Sequence, residues 1–238
     1  MVGNSKILFL DIETAPALAY VWRLFDVNIG LDQLVSPSRV LCVSAKWAGD
    51  KTCYFFAEWQ EGGRQAMLQG IYEMMHEADA IVTYNGDKFD LPKLMGEFVL
   101  AGMKPPAPST SIDILKTVRK LGLQSNKLAF VGPLLAVGKK VKHEGFSLWI
   151  SVLNGNEAAR GRMERYCIQD SVLLEKVYKK LRPFVKNHPH IGKGGECGAC
   201  GSTHTQSRGY RYTKTMKIQR QQCQACGAWS DGIRSKIK

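Results

Sequence analysis

Three short segments carry the residue types that do phosphate chemistry: Asp11-Ile12-Glu13-Thr14, Asn85-Gly86-Asp87-Lys88-Phe89-Asp90 and Tyr166-Cys167-Ile168-Gln169-Asp170. The first closes the apolar run Ile7-Leu8-Phe9-Leu10. Side chains alternate along a strand, so Asp-x-Glu sends both carboxylates to one face. Tyr166 and Asp170 stand four apart and share a face if the segment is helical. If Asp90 and Asp170 reach the same point, four carboxylates repel one another until cations separate them. Hard oxygen ligands suit Mg²⁺ or Mn²⁺. Two such ions can activate a water, neutralise a phosphodiester and stabilise its leaving alkoxide. Asp11 is placed to bridge them, with Glu13 and Asp170 on one ion and Asp90 anchoring the other. The Tyr166 hydroxyl then orients the water; a phenol titrating near pH 10 leaves activation to the metal.

A second cluster lies downstream. Cys197-Gly198-Ala199-Cys200-Gly201 and Cys223-Gln224-Ala225-Cys226-Gly227 are matched knuckles. Four thiolates satisfy one tetrahedral Zn²⁺ with no position left for water. The glycine after each pair supplies the permissive backbone a knuckle needs. Between the knuckles, Arg208, Tyr210, Arg211, Lys214 and Arg220 interleave charge with aromatic rings, which suits phosphate neutralisation and base stacking. A protein-docking ribbon is the alternative.

Elements that must position these groups follow from pattern. A strand is expected at about 6–11, then an irregular stretch, Ala15 to Arg39, lying over the site with a short helix. Strands at Val40–Trp47 and Thr52–Ala57 flank the turn signal Gly49-Asp50. Arg64–Ala78 has helical spacing, with Met67, Leu68, Ile71, Met74 and Met75 as core filling rather than a cofactor box. A strand at 80–84 turns at Asn85-Gly86 into a helix near 90–101. Ser111–Leu115 is read as a strand, 116–138 as helical with a break at Gly132-Pro133, and roughly 157–182 as a long helix closed by Pro183. Such an order indicates α/β architecture, a mixed sheet covered by helices on both faces. Residues 1–187 then form the main domain, 188–195 a linker and 196–238 the cysteine module. His188 and His190 read as solvent-exposed linker residues.

Of the net charge of +12, residues 182–238 contribute +9, from 11 Lys and Arg against 2 Asp and Glu. That imbalance favours a nucleic-acid partner. No run approaches the roughly 18 apolar residues of a membrane span, and no signal-peptide core is evident. A cytoplasmic setting follows, in which paired Cys-x-x-Cys favours metal over disulfide. Cys42, Cys53 and Cys167 read as small core residues.

The three acidic motifs, in this order, resemble the tyrosine subgroup of the DEDD superfamily of 3′→5′ exonucleases. Asp11 and Glu13 match its first motif, Asp90 in Asn85-x-x-x-Phe89-Asp90 its second, and Tyr166-x-x-x-Asp170 its third. The likeness spans about 1–185 and is nearest to phage-encoded exonuclease-like proteins with a C-terminal zinc ribbon, which would place the chain in a host cytoplasm. It implies a ribonuclease H-like fold with a five-stranded mixed sheet, two catalytic Mg²⁺ or Mn²⁺ ions and one structural Zn²⁺. It further implies release of nucleoside 5′-monophosphates from DNA, single-stranded or at 3′ ends. RNA is the rival substrate, and a replication or recombination protein the expected company. Thr14, Asn85 and Phe89 are assigned to the terminal nucleotide, though Asn85 could instead hold its turn and Phe89 fill the core. Asp113 falls near the site or caps a strand. A non-catalytic nucleic-acid-binding or replication-scaffold protein is the rival from outside the enzyme class.

Overall fold

The computed structural model describes residues 5–186, 188–192 and 195–237; Asn187 at the end of the expected main domain, Lys193 and Gly194 of the expected linker, and Lys238 lie outside them. In chain order the first elements are β1 (Ile7–Ala15), β2 (Leu18–Ala19), β3 (Leu34–Ser36), β4 (Arg39–Trp47), β5 (Tyr54–Ala57) and α1 (Gly63–Glu77). Then come β6 (Ala80–Thr83), α2 (Asp90–Leu100), β7 (Thr110–Asp113), α3 (Ile114–Val118), α4 (Leu128–Leu134), α5 (Phe146–Leu153) and α6 (Glu157–Leu181). The C-terminal strands are β8 (Thr205–Tyr212), β9 (Met216–Cys223) and β10 (Trp229–Lys236).

The five-stranded sheet runs β5-β4-β1-β6-β7. β4 lies antiparallel to β1 and β5, whereas β6 and β7 run parallel to β1 and to each other. β1 is central and buried on both faces, and its period of two sorts its residues. Leu8, Leu10 and Ile12 pack with Met67, Leu68, Ile71, Met74 and Met75 of α1 and with Leu94 and Phe98 of α2. Ile7 and Phe9 pack with Leu173, Leu174 and Val177 of α6 and with Val118 and Val131. Burying one Leu- or Phe-sized side chain contributes about 1.5–3 kcal/mol, so these two layers fix both the register of β1 and the seating of α6. Asp11 and Glu13 are the next residues on the α6 side.

Several boundaries differ from the sequence expectation. β1 does not stop at Asp11 but continues to Ala15, because its pairing with β4 runs on (Asp11 opposite Ser44, Glu13 opposite Cys42) after that with β6 ends at Phe9. Asp11 and Glu13 therefore project past the end of β6. The stretch from Ala15 to Arg39 holds a two-stranded ribbon of β2 and β3 and a 3₁₀ turn, Leu31–Gln33, in place of an irregular segment with a short helix. Trp22 on it is 98 % exposed. Ile114 and Leu115 leave the expected strand for α3, since the Asp113 carboxylate caps that helix by accepting the Leu115 N–H at 3.0 Å. The expected helical region 116–138 is divided: Gly122, at φ +65°, ends the first part and α4 forms the second, with Pro133 inside it. α5 was not expected; its run Phe146-Ser-Leu-Trp-Ile-Ser-Val-Leu153 is too uniformly apolar to show a helical stripe. α6 starts at its Asn156 cap, which accepts the Ala159 N–H at 2.9 Å, and ends before Pro183.

The C-terminal module is a separate three-stranded sheet, β10-β9-β8. The connection to it is anchored. His188, expected to be solvent-exposed, is half-buried, stacks on Tyr178 of α6 and shares a 2.5 Å hydrogen bond with its hydroxyl. His190 is exposed. Ile191 packs against the α6 core and donates its N–H to the Gly198 carbonyl at 2.8 Å, joining connection and knuckle.

Candidate active site

α6 brings the third motif to β1. The Ser44 hydroxyl of β4 donates to the Cys167 carbonyl at 2.8 Å and lies 2.6 Å from the Ser171 hydroxyl, all three residues being buried. This clamp holds the turn between Tyr166 and Asp170 against the sheet. One carboxylate oxygen from each of Asp11, Glu13 and Asp170 then lies within 4.8 Å of the others.

Asp90 stays at the edge of this cluster. It begins α2, and its Oδ1 accepts the Ile12 N–H at 3.2 Å, so it holds β1 from the opposite side. Its charge is still felt by Asp11. Asn85 takes a left-handed conformation, φ +76°, and its carbonyl accepts the N–H groups of Lys88 and Phe89 at 3.2 Å. Its own N–H donates to the Asp113 carboxylate at 2.8 Å, which places Asp113 behind the site as a cap and turn anchor. A Cβ on Gly86 would overlap the Thr83 side chain, so this tight turn requires glycine. Phe89 is 39 % exposed and therefore not a core residue.

The cluster resists ionisation. Burial, followed by the charges of Asp90, Glu13 and Asp170, pushes Asp11 well above the carboxylate range. Burial and the Asp170 charge raise Glu13 to about 8, against a lowering by Lys140. Asp90 rises to about 7, chiefly by burial. Asp170 is raised by burial, with Lys140 opposing, and its buried Oδ1 has no hydrogen-bond partner. Three converging carboxylates, raised by burial and with the buried Oδ1 of Asp170 left without a partner, fit a divalent cation held by Asp11, Glu13 and Asp170.

Lys140 is the residue that sequence reading missed. Its ammonium lies 2.6 Å from Asp170 Oδ2 and donates to the Tyr166 hydroxyl at 3.0 Å. Burial alone would lower its pKa, but Asp170 outweighs this and keeps it protonated. Tyr166 is held well above its ordinary pKa by burial and by Asp170 and Glu13, and so stays a phenol. His143 meets the Tyr166 ring edge-on at 4.7 Å and Trp149 at 5.2 Å. The available signal was the basic run Lys139-Lys140-Val141-Lys142-His143, which lies just past the expected helical region 116–138 and matches no motif.

Two cavities flank the carboxylates. One of about 610 Å³ lies on the Asp11 side, among Asn85, Arg119, Asn126, Lys127 and Lys140. The other, about 380 Å³, lies on the Glu13 side, where Thr14, His143, Phe146 and Trp149 line it. The first falls within the usual range for small-molecule sites.

In the C-terminal module the four thiols also converge. Cys197 and Cys226 sulfurs stand 3.7 Å apart, as do those of Cys200 and Cys223. A disulfide needs about 2.05 Å, whereas tetrahedral Zn–S bonds of about 2.3 Å separate sulfurs by about 3.8 Å. Gly201 (φ +72°) and Gly227 (φ +79°) turn their N–H groups back to the carbonyls of Cys197 and Cys223, closing both knuckles. Although burial opposes it, the amides of Cys226 and Ala225 bring Cys223 down to about 6. The spacing and the anion-favouring amides fit Zn²⁺. Of the basic residues expected on one binding surface, the strands separate Tyr210 from Arg211 and Arg220, which occupy the opposite face. Arg208 offers its carbonyl to Arg220, and Lys214 is exposed in the β8–β9 turn.

Sheet order, the acidic cluster on its central strand and the covering helices define a class. A family model described as RNase_H superfamily matches residues 8–182, and the chain belongs to that superfamily. No curated protein matches it. A family B DNA polymerase from the hyperthermophilic archaeon Pyrobaculum calidifontis is similar in structure, with a TM-score of 0.57 and 18% identity over 75% of this chain. The match spans 25% of the polymerase's length, and at that identity it speaks for the fold alone. Among the described residues no helix is long and apolar enough to cross a membrane.

Proposed function

We infer that the chain is a divalent-metal-dependent 3′→5′ exonuclease that hydrolyses DNA to nucleoside 5′-monophosphates, with a zinc-bound C-terminal module holding the polynucleotide. The observation that carries this reading is the meeting of Asp11, Glu13 and Asp170 within 4.8 Å beside the Tyr166–Lys140 pair on a ribonuclease H-like sheet. Mg²⁺ or Mn²⁺ ions at these carboxylates, with Asp90 in support, supply charge neutralisation and an acidified water. The protein's own groups do the rest. Asp11 sits between the cavity for the terminal nucleotide and the other two carboxylates. Arg119 and Lys127 draw the phosphates into that cavity, where Asn85 meets the nucleotide. Thr14 lines the second cavity, on the Glu13 side of the carboxylates. Tyr166 remains protonated and positions the attacking water without removing its proton. Lys140 offsets the carboxylate charge that would otherwise repel the incoming phosphodiester.

The test is incubation with end-labelled DNA and RNA strands, with and without added Mg²⁺ or Mn²⁺. Hydrolysis of DNA that needs the added ion is the expected result. Faster cleavage of RNA would move the reading to an exoribonuclease, and intact strands of both kinds under every ion would overturn it in favour of a binding or scaffold role.

A further inference from the structure

The C-terminal sheet has two unlike faces. Cross-strand pairing sets Arg211 and Arg234 opposite Ile218, Arg220 opposite Asp231, Trp229 opposite Gln222 and Lys236 opposite Met216, all on one face. Tyr210, Tyr212, Lys217 and Gln219 occupy the other. The first face therefore carries four cations and one carboxylate. Asp231 does not neutralise this face so much as order it: Arg211 grips it through two bonds, 3.1 and 2.6 Å, and Arg234 reaches it at 3.1 Å. The Arg220 guanidinium stands 5.7 Å from the centre of the Trp229 ring, and Trp229 is 55 % exposed. Arg211, Arg220, Trp229, Ser230 and Asp231 line an open surface cavity of about 310 Å³. The opposite face carries Lys217, whose ammonium lies over the Tyr210 ring at 4.1 Å.

An exposed indole beside pre-ordered guanidinium forks suits a ligand with planar rings strung on an anionic backbone. Stacking needs only a π-face, and guanidinium forks match phosphate oxygens in pairs. We propose that single-stranded nucleic acid binds in this cavity, with a base on Trp229 and phosphates against Arg220, Arg211 and Arg234, and that the Tyr210 face takes no part. The nature of the ligand rests on the nuclease reading, but its binding is measurable with hydrolysis switched off.

Binding of a labelled oligothymidylate of about 20 nucleotides, longer than a single-strand site of about 4–16 nucleotides, is followed by fluorescence anisotropy in the full chain carrying Asp11→Ala, which leaves the zinc ligands intact. Trp229→Ala is expected to weaken binding roughly 5- to 150-fold, the range for losing one stacked base, and Trp229→Phe to restore most of it. Arg220→Gln should lower the salt slope of log K by about 0.7. Tyr210→Ala should stay within about twofold of the parent, far below the loss of a stacked base. Zinc content, one ion per chain, identifies variants whose module has folded; if Trp229→Ala lacks it, Arg220→Gln and Trp229→Phe decide. Unchanged binding by zinc-loaded Trp229→Ala, an equal loss in Tyr210→Ala, an unaltered slope in Arg220→Gln, or tighter binding of an acidic peptide than of the strand would each overturn the proposal. If the wild-type chain hydrolyses no strand while the Trp229 pattern holds, the nuclease reading fails and this one stands.

Discussion

The acidic cluster and the cysteine cluster both gather ligands that fit a cation, but they differ in how those ligands are brought together and in what surrounds them. The four thiols arrive in two local knuckles, each closed by a glycine; amides around Cys223 favour its thiolate, while burial and the neighbouring sulfurs push Cys226 and Cys200 up. Their spacing is that of a closed tetrahedral site. The carboxylates come from β1 and α6, about 160 residues apart, and are gathered only when the main core forms. There burial and mutual charge oppose ionisation, Lys140 stands in at one side, and Asp170 keeps an unpartnered oxygen. A site closed by its own ligands suits a structural ion. One that is strained until a cation arrives, with cavities on two sides, suits ions that must share their coordination with a substrate.

Breaking either cluster should leave the other working. Asp11→Ala or Asp170→Ala is expected to cost hydrolysis on the order of a thousandfold or more, several kcal/mol of transition-state stabilisation. Zinc content and the circular-dichroism spectrum should not change. Loss of zinc from Asp11→Ala would show that the two clusters are not independent. Cys223→Ser is the reciprocal experiment. It should release zinc and unfold the C-terminal module, yet leave cleavage of oligonucleotides too short to reach that module within a fewfold of wild type.

Tyr166→Phe keeps the ring against His143 and Trp149 and deletes the hydroxyl. A decrease in kcat of about a hundredfold is expected, towards the low end for positioning groups. An unaltered kcat would reduce the tyrosine to packing. The smallest effect concerns pH. Glu13 and Asp90 have folded-state pKa values raised to about 8 and 7, so between pH 4.5 and 8 the folded chain binds more protons than the unfolded one. Without divalent ions, stability should therefore fall as pH rises through that window. Added Mg²⁺ should flatten the fall, because the cation replaces the protons. A metal-free Tm that rises from pH 5 to pH 8 would contradict the raised values.

Much of this site could be read before folding because its geometry is local. Asp11 and Glu13 share a face through strand alternation, Tyr166 and Asp170 through one helical turn, and the knuckles through Cys-x-x-Cys-Gly. Lys140 could not be read that way. It lies between α4 and α5 and reaches Asp170 only through tertiary packing, so neither period nor spacing marks it. The two faces of the C-terminal sheet were hidden for a related reason. The stretch Arg208–Arg220 looked like one basic surface because it was read by composition, whereas strand alternation puts the adjacent Tyr210 and Arg211 on opposite faces and a bulge brings Asp231 and Arg234 onto one. β1 was drawn too short because two acidic side chains look like a strand's end, whereas here pairing with β4 carries them onward.

The central claim is that the carboxylate cluster removes nucleotides from a 3′ end. The most direct measurement follows a 5′-labelled single strand with Mn²⁺ present, alongside the same strand blocked at its 3′ hydroxyl. A descending ladder from the free strand and an intact blocked strand are the expected result. Immediate release of labelled mononucleotide, or equal cleavage of the blocked strand, would contradict it.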